Sequence, residues 1–252
     1  MEELYRKAAE RIARARYGAA LTGAGISVES GIPDFRSPDG LWSRYDPMEY
    51  GYIESFRRNP GRVWKMLIEM TGLLDRAMPN PAHIGLAELE KLGCVKTVIT
   101  QNIDSLHQKA GNTDVIEFHG HARTLRCDDC SKRYDPGEVS LESLPPRCSC
   151  GGPLRPDVVF FGEPIPPIAL HRAMDVARSC DVMMVIGTSA TVAPASTIPV
   201  IAKENGAFII EINPSPSALT GHVTDVYIPE SAGKAVSEIV AIVREIKGYQ
   251  EL

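Results

Sequence analysis

Aromatic residues make up only 6% of the 252-residue chain, cysteine occurs six times, and positive charge is not in excess. Each scarcity excludes something. With 27 Lys and Arg against 32 Asp and Glu, the formal net charge is −5, which disfavours a basic nucleic-acid binder and a polycationic membrane-surface protein. Six cysteines are too few to build a secreted, disulfide-held fold of this length. The opening stretch Met1–Lys7 has no apolar core of the kind a signal peptide carries. Residues 182–202 hold no charge, yet Gly187, Thr188, Ser189, Thr191, Pro194, Ser196, Thr197 and Pro199 interrupt them. Only Val182–Ile186 is continuously apolar, so the run reads as a buried strand entering a polar loop rather than a membrane span. The expectation is a soluble, cytoplasmic, monomeric chain with neither membrane nor nucleic acid as partner.

What is present is alternation. An amphipathic helix is expected over residues 2–16, with Leu4, Ala8, Ile12 and Ala15 on one face. Apolar strands are expected at 19–21, 95–100, 182–186, 207–212 and 223–228, and helical patterns at 81–92, 167–179, 196–205 and 232–247. Strands alternating with helices of this length indicate an α/β fold: a large Rossmann-like domain with a parallel sheet. Two stretches break the rhythm, the all-helical 46–78 and the irregular, cysteine-rich 122–156. They read as insertions forming a small lobe, leaving 1–45, 79–121 and 157–252 to the Rossmann-like domain.

Gly23-Ala24-Gly25 directly follows the first strand, where glycines let a backbone approach a pyrophosphate. A bare glycine turn is the alternative, since Val28 stands where G-x-G-x-x-G has its third glycine. Polar loops recur after two further strands, at Gly187-Thr188-Ser189 and at Asn213, and such strand ends are where these sheets bind ligands. Cys127-x2-Cys130 and Cys148-x-Cys150 have the pattern of a closed, structural four-thiolate zinc site; a disulfide or chance clustering is the alternative. His119 ends the apolar run from Val115, and Gln101-Asn102-Ile103-Asp104 follows the strand ending at Thr100. A neutral histidine there can act as general base, or each of these can be a hydrogen-bonded structural residue.

In order along the chain, these segments resemble the sirtuin family of NAD-dependent protein lysine deacylases. The likeness rests on Gly23–Ser27, Gly31-Ile32-Pro33-Asp34-Phe35-Arg36, Gln101–Asp104, His119-Gly120, the four cysteines, Pro156–Glu163, Gly187–Ser189 and Ile212-Asn213. The resemblance implies that NAD is consumed, giving nicotinamide, free lysine and O-acyl-ADP-ribose from an acetylated protein or peptide. It implies His119 as the base, with Asn102 and Asp104 holding the nicotinamide ribose and the nicotinamide pocket and Gln101 on the ribose. It implies a cofactor set of Gly23, Ala24, Gly25, Ile32, Asp34, Phe35, Arg36, Ile103, Gly187, Thr188, Ser189, Asn213 and Ala232, and a structural Zn²⁺ on Cys127, Cys130, Cys148 and Cys150. The peptide is expected along free backbone edges at Val159, Phe160, Phe161, Gly162 and Glu163 and at Val192–Pro194, with Val159 and Phe160 lining an apolar acyl tunnel.

Family members that prefer acidic acyl groups carry Tyr-x-x-Arg where this chain has Leu67 and Met70, so acetyl or longer apolar acyl groups are expected. Three rivals stay open on the residues alone: a protein ADP-ribosyltransferase on the same scaffold, a dehydrogenase with a structural zinc, and a non-catalytic peptide-binding module. The dehydrogenase needs an acid near Asp39 at the end of a second strand.

Overall fold

The computed structural model describes residues 1–249; residues 250–252, at the end of the expected 157–252 stretch, lie outside the described residues. Strands β1 (Gly18–Thr22), β2 (Val95–Thr100), β3 (Val115–Glu117), β4 (Gly120–Cys127), β5 (Arg133–Tyr134), β6 (Leu154–Val158), β7 (Val182–Ile186), β8 (Phe208–Ile212) and β9 (Val226–Ile228) make two sheets. The larger is parallel, in the order β3-β2-β1-β7-β8-β9, and the smaller is antiparallel, β5-β4-β6. The helices are α1 (Glu2–Ala13), α2 (Leu41–Arg44), α3 (Pro47–Tyr50), α4 (Ile53–Arg58), α5 (Pro60–Arg76), α6 (Pro81–Lys91), α7 (Leu106–Ala110), α8 (Pro167–Ser179), α9 (Thr197–Glu204) and α10 (Ala232–Lys247).

The continuous apolar strands follow from burial on both faces. Ala20, Met184, Ile186, Ile210 and Ile212 face α1, α6 and α10, meeting Ile12, Leu86, Leu89, Val236 and Ile239. Their alternates Ala19, Leu21, Met183, Val185 and Ile209 face α8 and α9, meeting Ala173, Ala177, Ile198 and Ala202. A side chain at Gly85 would strike Val236, so α6 and α10 are in direct backbone-to-side-chain contact there.

The register puts Thr100, Thr22, Ile186 and Ile212 in one row. Four loops therefore leave the sheet side by side, around the point where β1 sends the chain one way and β7 the other. Residues 122–156 are more ordered than their sequence suggests. Turn-rich composition hides short antiparallel strands whose pairing comes from residues far apart, such as Cys127 with Leu154. β4 begins at Gly120 and β6 runs to Val158, so both strands join the lobe directly to the row of loops. The lobe has its own apolar cluster, in which Phe56, Val63, Trp64 and Leu67 meet Leu125, Leu154, Val158 and Phe160. Trp64 anchors the helical insertion to the small sheet by donating Nε1–H to the Leu154 carbonyl at 2.7 Å. Among the described residues no helix is long and apolar enough to cross a membrane.

Candidate active site

Two of the row's loops lie in contact. Gly25 N–H donates to the Gly187 carbonyl at 2.8 Å, and Gly23 N–H donates to the Ile186 carbonyl at 3.0 Å. A Cβ on Gly25 would come within 2.7 Å of the Gly187 Cα, and Gly187 itself sits at φ +64, so both positions require glycine. The N–H groups of Ala24, Thr188 and Ser189 carry no hydrogen bond among the described residues. Free donors at the ends of β1 and β7 form a cradle for an anion, which fits the pyrophosphate of NAD.

The neighbouring loop supplies the polar side chains. Asn102 uses its Nδ2 hydrogens on the Gly23 carbonyl (3.1 Å) and on Ser27 Oγ (3.0 Å). That fixes the amide and leaves Oδ1 as an acceptor. Ser27 donates its hydroxyl hydrogen bond to Asp104 Oδ2 at 2.7 Å, and Asp104 Oδ1 accepts from Leu106 N–H. Gln101 reaches across to Thr188 Oγ1 at 3.1 Å, linking the β2 loop to the β7 loop. His119 Nδ1 lies 3.1 Å from the Gln101 carbonyl, which can only accept, so the proton sits on Nδ1 and Nε2 keeps its lone pair. Burial pushes the His119 pKa below its usual 6.5, partly offset by that bond. The imidazole is thus a neutral base at physiological pH.

Other expected residues are placed differently. Arg36 bonds Ser189 Oγ at 2.8 Å, closing the cofactor loop over the β7 loop, while Phe35 is 41% exposed and stacks on Trp42. Asp34 spends Oδ1 on Arg36 and Ser37 N–H, shaping its own turn. Ile32 packs with Leu74, Ala77 and Leu106, and Ile103 lies against that cluster. Asn213 donates Nδ2 to the Ser215 carbonyl. Ala232 is buried at the start of α10, whose N-terminus is capped by Glu29 accepting from Gly233 N–H.

The expected peptide edges are largely spent. N–H groups of Val159, Phe160 and Phe161 donate to the His119 carbonyl, Glu163 Oε2 and the Gly51 carbonyl, because the segment is itself tied into both neighbouring elements. Ser196 N–H takes the Val192 carbonyl. Gly162 N–H remains without a partner among the described residues. Phe160 lies in the lobe's cluster, whereas Val159 packs against the large sheet's, so the two do not line one wall.

The four cysteine sulfurs lie within 4.8 Å of one another, with Cys127–Cys150 and Cys130–Cys148 at 3.5 Å. Zn–S bonds of about 2.3 Å in a tetrahedron place sulfurs about 3.8 Å apart, so the set fits Zn²⁺ with no position left for substrate. Among the described residues the end of β2 carries no acid, having Thr100 and Gln101 there, and Asp39 is exposed in a turn.

The site also holds Ser27, at the end of the Gly23–Ser27 segment, and two histidines beneath it that lie outside the expected residue set. His83 packs against His107 with ring centroids 4.9 Å apart and the rings tilted by 60°, and its Nε2 faces Ser27 Oγ at 3.5 Å. Burial drives the pKa of His83 down to about 4 and of His107 to about 3. The available signal was Asn80-Pro81-Ala82-His83, a capping box in which Asn80 also donates to the Ile26 carbonyl of the glycine turn.

Residues 23–194 match the model of a family described as the Sir2 family. A curated relative, NAD-dependent protein deacylase 2 of Archaeoglobus fulgidus, is 46% identical over 252 residues, covering 98% of this chain and 99% of its own. A solved complex of a Sir2 homologue with NAD superposes with a TM-score of 0.89 at 44% identity, over 95% of this chain and 94% of that one. A Sir2 protein bound to a myristoylated histone peptide gives a TM-score of 0.82 at 39% identity, over 99% of this chain and 100% of that one.

Proposed function

The chain belongs to the Sir2 family, and from that premise we propose how its own residues divide the work. It is an NAD-dependent protein lysine deacylase acting on acylated proteins or peptides. NAD, when bound, supplies the ribose that takes the acyl group away as O-acyl-ADP-ribose while nicotinamide leaves.

His119 is the general base. The observation that carries this is its bond to the Gln101 carbonyl, which orients the ring and leaves an unprotonated Nε2 to accept a ribose hydroxyl proton. Asn102 Oδ1, held by two donated hydrogen bonds on the other side of its amide, accepts from the ribose or from the nicotinamide amide. Asp104 steadies it through Ser27. Ala24, Thr188 and Ser189 N–H groups receive the phosphates. Phe35 and Arg36 form the loop that covers the ribose and keeps water out. Asn213 and the buried Ala232 border the adenosine.

The peptide lies along Gly162 N–H and the carbonyls of Val159, Gly162 and Ala193, since those of Phe160, Phe161 and Val192 already accept from Glu163, Ile53 and Ser196 N–H. Few backbone donors remain there, so side-chain anchoring of the acyl group carries much of the binding. Leu67, Met70, Ile103 and Phe160 share the lobe's apolar cluster, and its buried guanidinium, Arg155, already faces Asp128 and Glu163. A succinyl carboxylate placed there has no partner.

We assign the NAD-binding part to 1–45, 79–121 and 157–252 and the small lobe to 46–78 and 122–156. The chain is proposed to act as a monomer. Six free cysteines, four of them arranged for zinc, fit the reducing cytoplasm. Mass spectrometry of the products from NAD and an acetyl-lysine peptide tests the reading. O-acetyl-ADP-ribose and free lysine are expected; ADP-ribose attached to protein instead would assign the chain to the transferases.

A further inference from the structure

One arginine links the peptide segment to the cysteine knuckle. Arg155, in β6, is 0% exposed, and a guanidinium without water needs fixed partners. It has three. Nε donates to Asp128 Oδ1 at 3.1 Å, Nη1 to the Val158 carbonyl at 3.0 Å, and Nη2 to Glu163 Oε1, while the group lies 5.2 Å from the Phe160 ring centroid. Glu163 returns its other oxygen to Phe160 N–H at 3.0 Å. Two sides of one guanidinium therefore hold residues 158–163 in shape.

The third side leads to the zinc knuckle. Asp128 stands between Cys127 and Cys130, and its second oxygen accepts from Arg57 Nε of α4 at 3.0 Å. Arg126 adds a contact to Glu163 at 3.3 Å and to Asp157 at 3.1 Å, and Arg133 meets Asp157 at 2.9 Å. Four guanidiniums face three carboxylates across this set, and the outer two, Arg57 and Arg133, reach solvent while Arg155 is fully enclosed. A guanidinium is planar and rigid, so a shift of the carboxylate at Nε turns the donor at Nη2 with it.

We propose that Arg155 is a positioning residue that relays the placement of the zinc knuckle, through Asp128 and Glu163, to the backbone that receives the acyl-lysine peptide. The inference rests on the reading that residues 159–163 take the peptide, and it gives the structural zinc a specific consequence: peptide affinity depends on it and NAD affinity does not.

The test uses the zinc-loaded enzyme with Asp128→Asn, which alters no residue of the segment, and with Glu163→Gln. Both should raise the peptide KM about tenfold or more, the worth of one charge-assisted hydrogen bond. The NAD KM should stay within about twofold and the zinc content at one per chain. Amide exchange at 158–163 should quicken in the unliganded D128N enzyme. Wild-type peptide KM together with wild-type exchange at 158–163 in D128N overturns the relay. If D128N loses zinc, Arg155→Lys repeats the measurement away from the knuckle, keeping the charge but not the fork, with the same outcomes deciding. An acetyl peptide that gives the wild-type enzyme no protection at 158–163 instead removes the reading of the segment, and exchange in unliganded D128N still decides the relay.

Discussion

The two parts of this molecule are held together by different physics. The large sheet is covered on both faces by helices, and its strands bury Ala, Val, Ile and Met in two clusters. The small lobe has a thinner cluster, two-residue β5 at its edge, four clustered thiols and a buried arginine with its carboxylates. Apolar burial makes a rigid frame that needs no ligand. A lobe fixed by metal and charge can be placed accurately yet depends on each tie. The division also follows function: the anion cradle hangs on the frame, and residues 160–163 of the peptide segment are tied to the lobe through Gly51, Arg155 and the lobe's apolar cluster.

The largest expected effect separates the two parts outright. Replacing Cys127 by Ser removes a structural zinc ligand, and zinc sites of this kind are worth about 10 kcal/mol to the fold they close. Hydrogen exchange should then become fast across β4, β5 and β6 while β1, β7 and β8 stay protected. Loss of protection in the large sheet as well would mean that the two parts fold as one unit.

Next comes the junction between them, where His119 ends the stretch after β3. His119→Ala should lower deacylation between about 10² and 10⁴-fold, measured by product release, with acetyl-peptide affinity nearly unchanged. Residual activity near that of the wild type would take the base elsewhere. Smaller again is the lobe's choice of acyl group. Acetyl-lysine should turn over about a hundredfold faster than succinyl-lysine at equal peptide concentration, because a carboxylate beside Leu67 and Met70 lacks a cation. Comparable rates would contradict that arrangement.

The smallest effect belongs to the frame. His83 and His107 are kept neutral by burial, at about 4 and about 3, below the 6.5 they regain on unfolding. The unfolded chain then binds more protons, so stability falls as pH drops from about 6.5 toward 4. His107→Asn should shrink the difference in unfolding free energy between about pH 7 and pH 5 by about 2 kcal/mol in denaturant titrations. An undiminished difference would place the acid sensitivity in other groups.

The frame is legible in the amino-acid sequence because its signals are local. Val182–Ile186, Val95–Thr100 and α8 at Pro167–Ser179 carry their periodicity or apolarity in consecutive residues. The lobe is not, since β5 is two residues long and β4 pairs with β6 across the cysteine loops. At the site, His119, Asn102 and the glycines stand out by their place after strands. Ser27, His83 and Arg155 do not, for each also depends on partners far along the chain, from the eight residues between Arg155 and Glu163 to the 77 between Ser27 and Asp104. Glu29 is the same case: its carboxylate caps α10 from the 3-10 turn Ala24–Ser30, 204 residues before Gly233. Spacing along a sequence carries no trace of such pairings.

The division between frame and lobe is open to one direct measurement. Calorimetric titration of ADP-ribose and of an acetyl-lysine peptide onto the chain, before and after zinc is stripped by a chelator, reads each part separately. ADP-ribose should bind the stripped protein within about threefold of its original affinity, and the peptide should lose about a hundredfold or more. Equal loss of both ligands, or full retention of the peptide, would contradict the account.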